Sequence, residues 1–249
     1  MELDVSDPLM ATYNRLPVTF TRGEGVWLWD QDDRRYLDAI SGIAVCNLGH
    51  AHPAVADAIC DQARSLVHTS NLYGIQHQFD LGARLTQLAD MGRVFFCNSG
   101  AEANEFAFKL ARKRAGHGRY GVVTTYGSFH GRTLAALAAC GQPTKHEPFA
   151  PMPEGFSHVA RDDVDALAAA LGEHTAAIHL EPIQGEGGVW PNSREFMTAA
   201  RALCDERDLL FMVDEVQTGL ARTGRWFAFE HYEVRPDVVC LAKALGNGF

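Results

Sequence analysis

Residues 93–115 read RVFFCNSGAEANEFAFKLARKRA, and their reading decides the fold. The first six, 93–98, form a short apolar run with the residue types of a strand. Asn98, Ser99, Gly100 and Ala101 then lead straight into a stretch, 100–115, that reads as a helix. Its end, KLARKR at 109–114, reads as a solvated C-terminal half, where cations suit the helix dipole.

The alternation continues downstream. GVVTT (121–125), AAIHLEP (176–182), LLFMVDEV (209–216) and VVCLA (238–242) read as strands. RTLAALAAC (132–140), DDVDALAAAL (162–171) and SREFMTAARALCDER (193–207) read as helices. Strands alternating with helices predict an α/β fold, a mostly parallel sheet with helices on both faces. Right-handed crossovers then place the functional loops at the carboxyl ends of the strands. Upstream, GVWLWDQDDRRYLDAIS (25–41) predicts two short strands around a turn at 30–33. HPAVADAICDQARSLV (52–67) predicts a helix starting near Pro53, and a second helix covers 77–90.

The 249 residues suffice for one large domain with a small appendage. A net charge of −9 argues against nucleic-acid binding, which needs a basic face. The six cysteines, at 46, 60, 97, 140, 204 and 240, form no CxxC pair and mostly sit among apolar or small residues. Buried free thiols in a reducing compartment are expected. The acidic N-terminal stretch MELDVSDPLM lacks the apolar segment of a secretory signal, and no run approaches a membrane-spanning length. The expectation is a cytoplasmic protein with no membrane partner.

Four stretches carry chemistry. In FFCNSGAEANE (95–105) a strand meets a helix through small residues. The first helical N–H groups have no internal acceptor, so the junction suits a phosphate. An ordinary capped helix, with Ser99 as N-cap and Glu102 completing a capping box, explains the same residues. In YGSFHGRT (126–133), Phe129 can stack on a flat ring and Arg132 can grip a carboxylate. A core Phe, a hydrogen-bonded His130 and a surface Arg are the plainer readings. The spacing around Ser128 is not that of a nucleophile elbow. In LLFMVDEVQTG, Asp214 ends a buried strand, where an unpaired carboxylate costs several kcal/mol. A solvated loop acid is the plainer reading; because Asp214 falls before EVQTG rather than in a Gly/Asn-rich turn, a buried partner such as a cationic ring nitrogen is expected. Lys243 follows the last strand, and in a dry site its amine becomes a nucleophile able to form Schiff bases. There is no GxxxxGK[ST], and no GxGxxG after a strand. Pyridoxal 5'-phosphate (PLP) offers all four groups these stretches ask for: a phosphate, a flat ring, a basic ring nitrogen and an aldehyde. No metal is expected.

NSGAEANE, FHGRT, EPIQGEGG, DEVQTG and LAKALGNG together resemble the class III, ornithine-type PLP aminotransferases, from about residue 10 to the end. GHAHPAV, NLYG and GQPTKHEPFAP make the acetylornithine/succinyldiaminopimelate branch the most similar. The resemblance implies a fold-type-I transferase. Residues 1–50 would belong to a small domain and 51–249 to a PLP-binding large domain. Family members run on for well over a hundred residues, so a C-terminal small domain and part of the sheet would lie outside this sequence.

The resemblance also assigns roles. Ser99, Gly100 and Ala101 would bind the phosphate, Phe129 would stack on the ring, and Asp214, Glu215, Val216 and Gln217 would contact the cofactor. Asp214 would pair with the ring nitrogen, Gln217 would approach the ring hydroxyl, and Lys243 would be the Schiff-base lysine. Arg132 would hold the substrate α-carboxylate. Glu186 would pair with a distant arginine until a dicarboxylate arrives. The activity implied is transamination of N-acetylornithine with 2-oxoglutarate in a cytoplasmic homodimer, in arginine or lysine synthesis. Ornithine, succinylornithine and 4-aminobutyrate are alternative amines. A fragment without catalysis, binding PLP or a partner chain, is the alternative of another class.

Overall fold

The computed structural model describes residues 8–249. The first seven residues, part of the acidic stretch and of the expected 1–50 segment, lie outside the described residues. The N-terminal part begins with a small antiparallel sheet of β1 (Phe20–Glu24), β2 (Trp27–Asp30) and β3 (Arg35–Leu37) in that order. The expected pair around 30–33 is β2 and β3, and β1 is an addition. Asp30 builds the turn. Its Oδ1 accepts the N–H groups of Asp32 and Arg34, both at 2.9 Å, and its Oδ2 accepts the Tyr36 hydroxyl at 2.8 Å. A turn over Ser41–Ala44 (α1) winds left-handed, with φ of 54°, 63°, 64° and 59° along its four residues. Such winding costs about 1–2 kcal/mol per residue with a Cβ. Two helices follow, α2 (Pro53–Ser65) and α3 (Gln76–Ala89), close to their expected bounds.

The main sheet has five parallel strands in the order β10-β9-β6-β4-β5. They are β4 (Gly121–Thr125), β5 (Phe156–Val159), β6 (Thr175–Leu180), β9 (Leu210–Asp214) and β10 (Val238–Cys240). Between β6 and β9 a short hairpin pairs β7 (Ile183–Gln184) with β8 (Trp190–Pro191). Helix α4 (Gly100–Ala115) precedes β4, and the crossovers carry α5 (Leu134–Ala139), α6 (Pro143–His146), α7 (Val164–Ala170) and α8 (Arg194–Arg207).

Side chains alternate along each strand, so the two sheet faces build two cores. One packs Ile178, Leu180, Phe211 and Val213 against Leu167 of α7 and Phe196, Met197, Ala200 and Cys204 of α8. The other sets Val122, Ala177, Leu210 and Met212 against Ala107, Phe108 and Ala111 of α4. Its small residues bring α4 close to the sheet. His179 shares the Ala177 face and Asp214 the Met212 face, so both point toward α4.

Two sequence expectations need correction. Residues 93–97 form no strand, because a strand is a pairing and this segment has no ladder partner among the described residues. It faces β10 across an apolar cavity of about 200 Å³ lined by Phe95, Phe96, Val239 and Leu241. The cysteines are all unpaired, but only Cys140, Cys204 and Cys240 are buried; Cys60 and Cys97 are exposed. Both lie in the part of the chain where little is covered. Among the described residues, no helix is long and apolar enough to cross a membrane.

Candidate functional site

A cavity of about 450 Å³ opens where the carboxyl ends of β6, β9 and β10 meet the start of α4. Ser99 is extended and caps the helix, its Oγ accepting the Glu102 N–H at 3.1 Å. Glu102 reaches back to the Asn98 N–H at 2.5 Å, one residue before the N-cap itself. The capping is therefore ordinary, and it leaves the N–H groups of Gly100 and Ala101 without intrahelical acceptors at the cavity wall. Gly100 has to be glycine: a Cβ there would stand 2.9 Å and 3.0 Å from the Val216 methyls. At Gly131, with φ of 140°, a Cβ would meet those of Ala101 and Ala136 at 2.8 Å and 2.9 Å.

Asp214 is the centre of a buried polar cluster. Its Oδ2 accepts from Asn104 Nδ2 and from His130 Nδ1, both at 2.8 Å, and its Oδ1 accepts the Val216 N–H at 3.0 Å. Burial alone would raise its pKa, but the His130 hydrogen bond, with that of the Val216 N–H, outweighs it and holds the carboxyl below its ordinary 3.8. Asn104 branches. Its amide also donates to the His130 carbonyl at 2.8 Å, and its Oδ1 meets His179 Nε2 at 2.9 Å. Burial, with His130 nearby, pushes His179 down to about 3, so it is neutral. His130, His179 and Asp214 could in principle hold a metal, their ligand atoms lying within 4.8 Å of one another. Hydrogen bonds among them, to Asn104 and from the Val216 N–H already engage one nitrogen of each ring and both carboxylate oxygens.

Lys243 enters from the far wall, just past β10, with a left-handed φ of 40°. Burial lowers its pKa below the usual 10.5, against the opposing pull of Asp214, Glu186 and Glu181. Gln217 also lines the wall, and its Oε1 lies 1.7 Å from where a Cβ on Gly185 would stand. Phe129 and Arg132 sit opposite. The Arg132 guanidinium lies 5.4 Å from the Phe129 ring centre and equally 5.4 Å from that of Tyr13. Glu186, on the β7–β8 hairpin, pairs with Lys145 of α6 at 3.8 Å.

Every expected site residue but one therefore lines a single cavity. The exception is Glu215, whose side chain turns into the fold. It accepts the Thr218 hydroxyl at 2.5 Å and the Phe229 N–H at 2.8 Å, capping the 228–232 turn. Three residues of the site were not anticipated: Asn104, His179 and Glu181. Glu181 Oε2 accepts the Phe129 N–H at 2.9 Å and so fixes the loop that carries the ring. Burial, followed by the Asp214 charge, raises Glu181 well above its ordinary 4.5. Its sequence signal was the one that marked Asp214, an acid ending an apolar strand.

As a whole, the cavity can seat an anion at a helix start and face a cationic ring atom with a fixed carboxylate. It can also offer an amine whose pKa lies below that of a free lysine, and hold carboxylates with Arg132.

Residues 9–249 match the family described as Aminotransferase class-III. The chain is 51% identical over 245 residues to the acetylornithine aminotransferase of Caldanaerobacter subterraneus subsp. tengcongensis, covering 97% of this chain and 62% of that protein. It is 49% identical over 240 residues to that of Methanocaldococcus jannaschii, covering 95% and 60%. Among solved structures it is similar to the N-acetylornithine aminotransferase of Stenotrophomonas maltophilia K279a, with TM-score 0.82 and 40% identity over 95% of this chain and 61% of that one. It is also similar to the ornithine aminotransferase of Toxoplasma gondii, described with partial occupancy of PLP at its active site, with TM-score 0.90 and 36% identity over 96% and 58%. The α/β fold-type-I architecture is shared with these neighbours. The chain spans 60% to 62% of the length of the two curated relatives.

Proposed function

The chain belongs to the class III aminotransferase family, and from that premise we propose that the protein transfers an amino group from N-acetylornithine to 2-oxoglutarate with PLP as cofactor. The observation that carries the reading is the meeting of Asp214, Lys243, Phe129, Arg132 and the α4 start in one cavity. The residues present fit the cofactor. Gly100 and Gly131 leave the helix start bare of side chain, and Asp214 is held ionised although buried.

When bound, PLP supplies an aldehyde that takes up amines and a protonated ring that withdraws electrons from the substrate α-carbon. This chain's residues do the rest. The N–H groups of Gly100 and Ala101 would bind the phosphate. Asp214, accepting from Asn104 and His130, would hold a proton on the ring nitrogen. Phe129 would offer its face to the ring, and Arg132 would orient the substrate carboxylate. The Lys243 amine would hold and return the proton of the substrate α-carbon. A cytoplasmic homodimer belongs to the same proposal, as the state expected from the family.

The test is to add PLP, reduce with borohydride, and map the adduct by mass spectrometry. A pyridoxyl group selectively on Lys243, lost in Lys243→Ala together with turnover of N-acetylornithine and 2-oxoglutarate, is expected. Scattered labelling, or turnover intact in Lys243→Ala, overturns the reading. Kinetics with ornithine, succinylornithine and 4-aminobutyrate measured alongside decide the amine.

A further inference from the structure

We propose that His179 is a positioning residue of this site: through Asn104 it sets the direction of the hydrogen bonds that fill Asp214 Oδ2, so that Oδ1 is the oxygen left to receive a cationic ring N–H. The inference rests on the aminotransferase reading of the cavity and concerns how its buried carboxylate is aimed.

The protons can be placed one by one. Asn104 Nδ2 lies 2.8 Å from Asp214 Oδ2 and 2.8 Å from the His130 carbonyl oxygen. A carbonyl oxygen only accepts, so the side-chain atom facing it must be the amide nitrogen. Both amide hydrogens are then spent, one on each partner. Asn104 Oδ1 is left facing His179 Nε2 at 2.9 Å, and it too can only accept. The ring proton of His179 therefore sits on Nε2. With that proton on Nδ1, two acceptors would face each other. His130 Nδ1 is the second donor to Asp214 Oδ2, at 2.8 Å, and fills the lone pairs of that oxygen. Oδ1 accepts the Val216 N–H at 3.0 Å and keeps one lone pair. Asp214 lines the cavity, so that lone pair is the one open to a ligand.

A buried histidine can simply fill space. His179 is poorly suited to that, because its Nδ1 is buried without a partner, a cost that an apolar side chain would not bring. It is held where the bond to Asn104 needs it. Its strand β6 lies between β4 and β9 in the sheet. Its ring meets Phe108 edge to face at 5.3 Å between centres and the His130 ring at 4.4 Å. Burial keeps the ring neutral, so it has one proton to place. His179 lies behind Asn104, which lines the cavity. Without the His179 donor, Asn104 Oδ1 would be left without its partner, and the amide could satisfy it only by turning away from Asp214.

The test first reads the hydrogen-bond direction in the unaltered protein. In the full chain carrying nitrogen-15 histidine, NMR should show His179 protonated on Nε2 alone near neutral pH. A proton on Nδ1, or on both nitrogens, overturns the inference. Calorimetry then titrates the cofactor-free full chain with pyridoxamine 5'-phosphate and with its 1-deaza analogue, in which a C–H replaces the ring nitrogen. The ratio of the two affinities reads the contact between Asp214 and that nitrogen. In His179→Leu the ratio should fall on the order of tenfold, and His179→Gln, which keeps a donor, should restore most of it. Asn104→Ala should lower the ratio as much, and adding His179→Leu to it should lower it no further, since the two side chains act in series. A role in packing alone would weaken both ligands equally; a wild-type ratio in His179→Leu, or additive losses in the double variant, overturns the inference. Failure of the broader reading looks different. Binding of neither ligand ends the cofactor reading and the assignment of Oδ1 with it. Selectivity that depends on His179 without turnover of N-acetylornithine loses the assigned reaction and keeps the positioning.

Discussion

Helices α2 and α8 have similar lengths, 13 and 14 residues, and both carry an apolar stripe, yet they meet opposite fates. In α8 the stripe is Phe196, Met197, Ala200 and Cys204, all fully buried against β6 and β9. In α2 no residue is buried, and Ile59 is 38% exposed. The difference extends to whole regions. From Gly100 onward the apolar side chains are mostly covered, while before it Leu66, Leu72, Tyr73 and Phe79 face out. An amphipathic pattern specifies a face, whereas burial requires something to cover it. Among the described residues, only the second region covers its own faces, and the cavity sits at the carboxyl ends of its strands.

That contrast can be broken by measurement. Phe211→Ala empties a fully buried site in β9 and should cost about 3–5 kcal/mol in urea denaturation. Phe79→Ala, at a ring already 65% exposed, should cost well under 1 kcal/mol, within the about 0.5 kcal/mol typical of surface changes. Equal costs would erase the distinction between the regions.

Glu181→Gln sharpens it at the site, through pH. The folded-state pKa of Glu181 lies above its unfolded value near 4.5, so the folded protein binds the extra proton between the two values. Its contribution is fully present below pH 4.5 and is lost as pH rises through the raised value. Wild type should therefore lose stability relative to Glu181→Gln as the pH climbs through that window. Parallel pH–stability curves would refute a buried, destabilising charge.

The smallest effect belongs to Ser99→Ala, at the border between the regions. Losing the N-cap should cost about 1 kcal/mol, read from the denaturation midpoint at unchanged m-value. No loss would mean that the helix start is held by its surroundings alone.

What the sequence reveals follows the same divide. LLFMVDEV and GVVTT are legible because a strand covered on both faces is apolar at almost every position. β5 escaped notice: FSHV is an edge strand, paired only with β4, and its polar Ser157 and His158 mask the pattern. RVFFCN has strand composition without a partner, which composition cannot report. Asp214 and Lys243 are legible since each ends an apolar strand. Asn104 is not, because a polar residue inside a helix reads as part of the solvent face. Here that face is turned to the sheet by Ala103, Ala107 and Ala111, whose small size gives no directional signal. Glu215 carries the same signal as Asp214, an acid at the end of an apolar run, yet its side chain turns into the fold, which composition cannot report.

The cluster around Asp214 also says something about when the site comes into being. Asn104 lies 110 residues from Asp214 and 75 from His179, and His130 lies 84 from Asp214. No local segment contains a working subset of these contacts, and each awaits closure of a long loop whose entropy must first be overcome. Helices such as α4 and α8 can form early from nearby contacts. The Asp214 carboxylate acquires its partners only when β9 has docked beside β6, so the cavity is expected to be among the last features of the fold to mature.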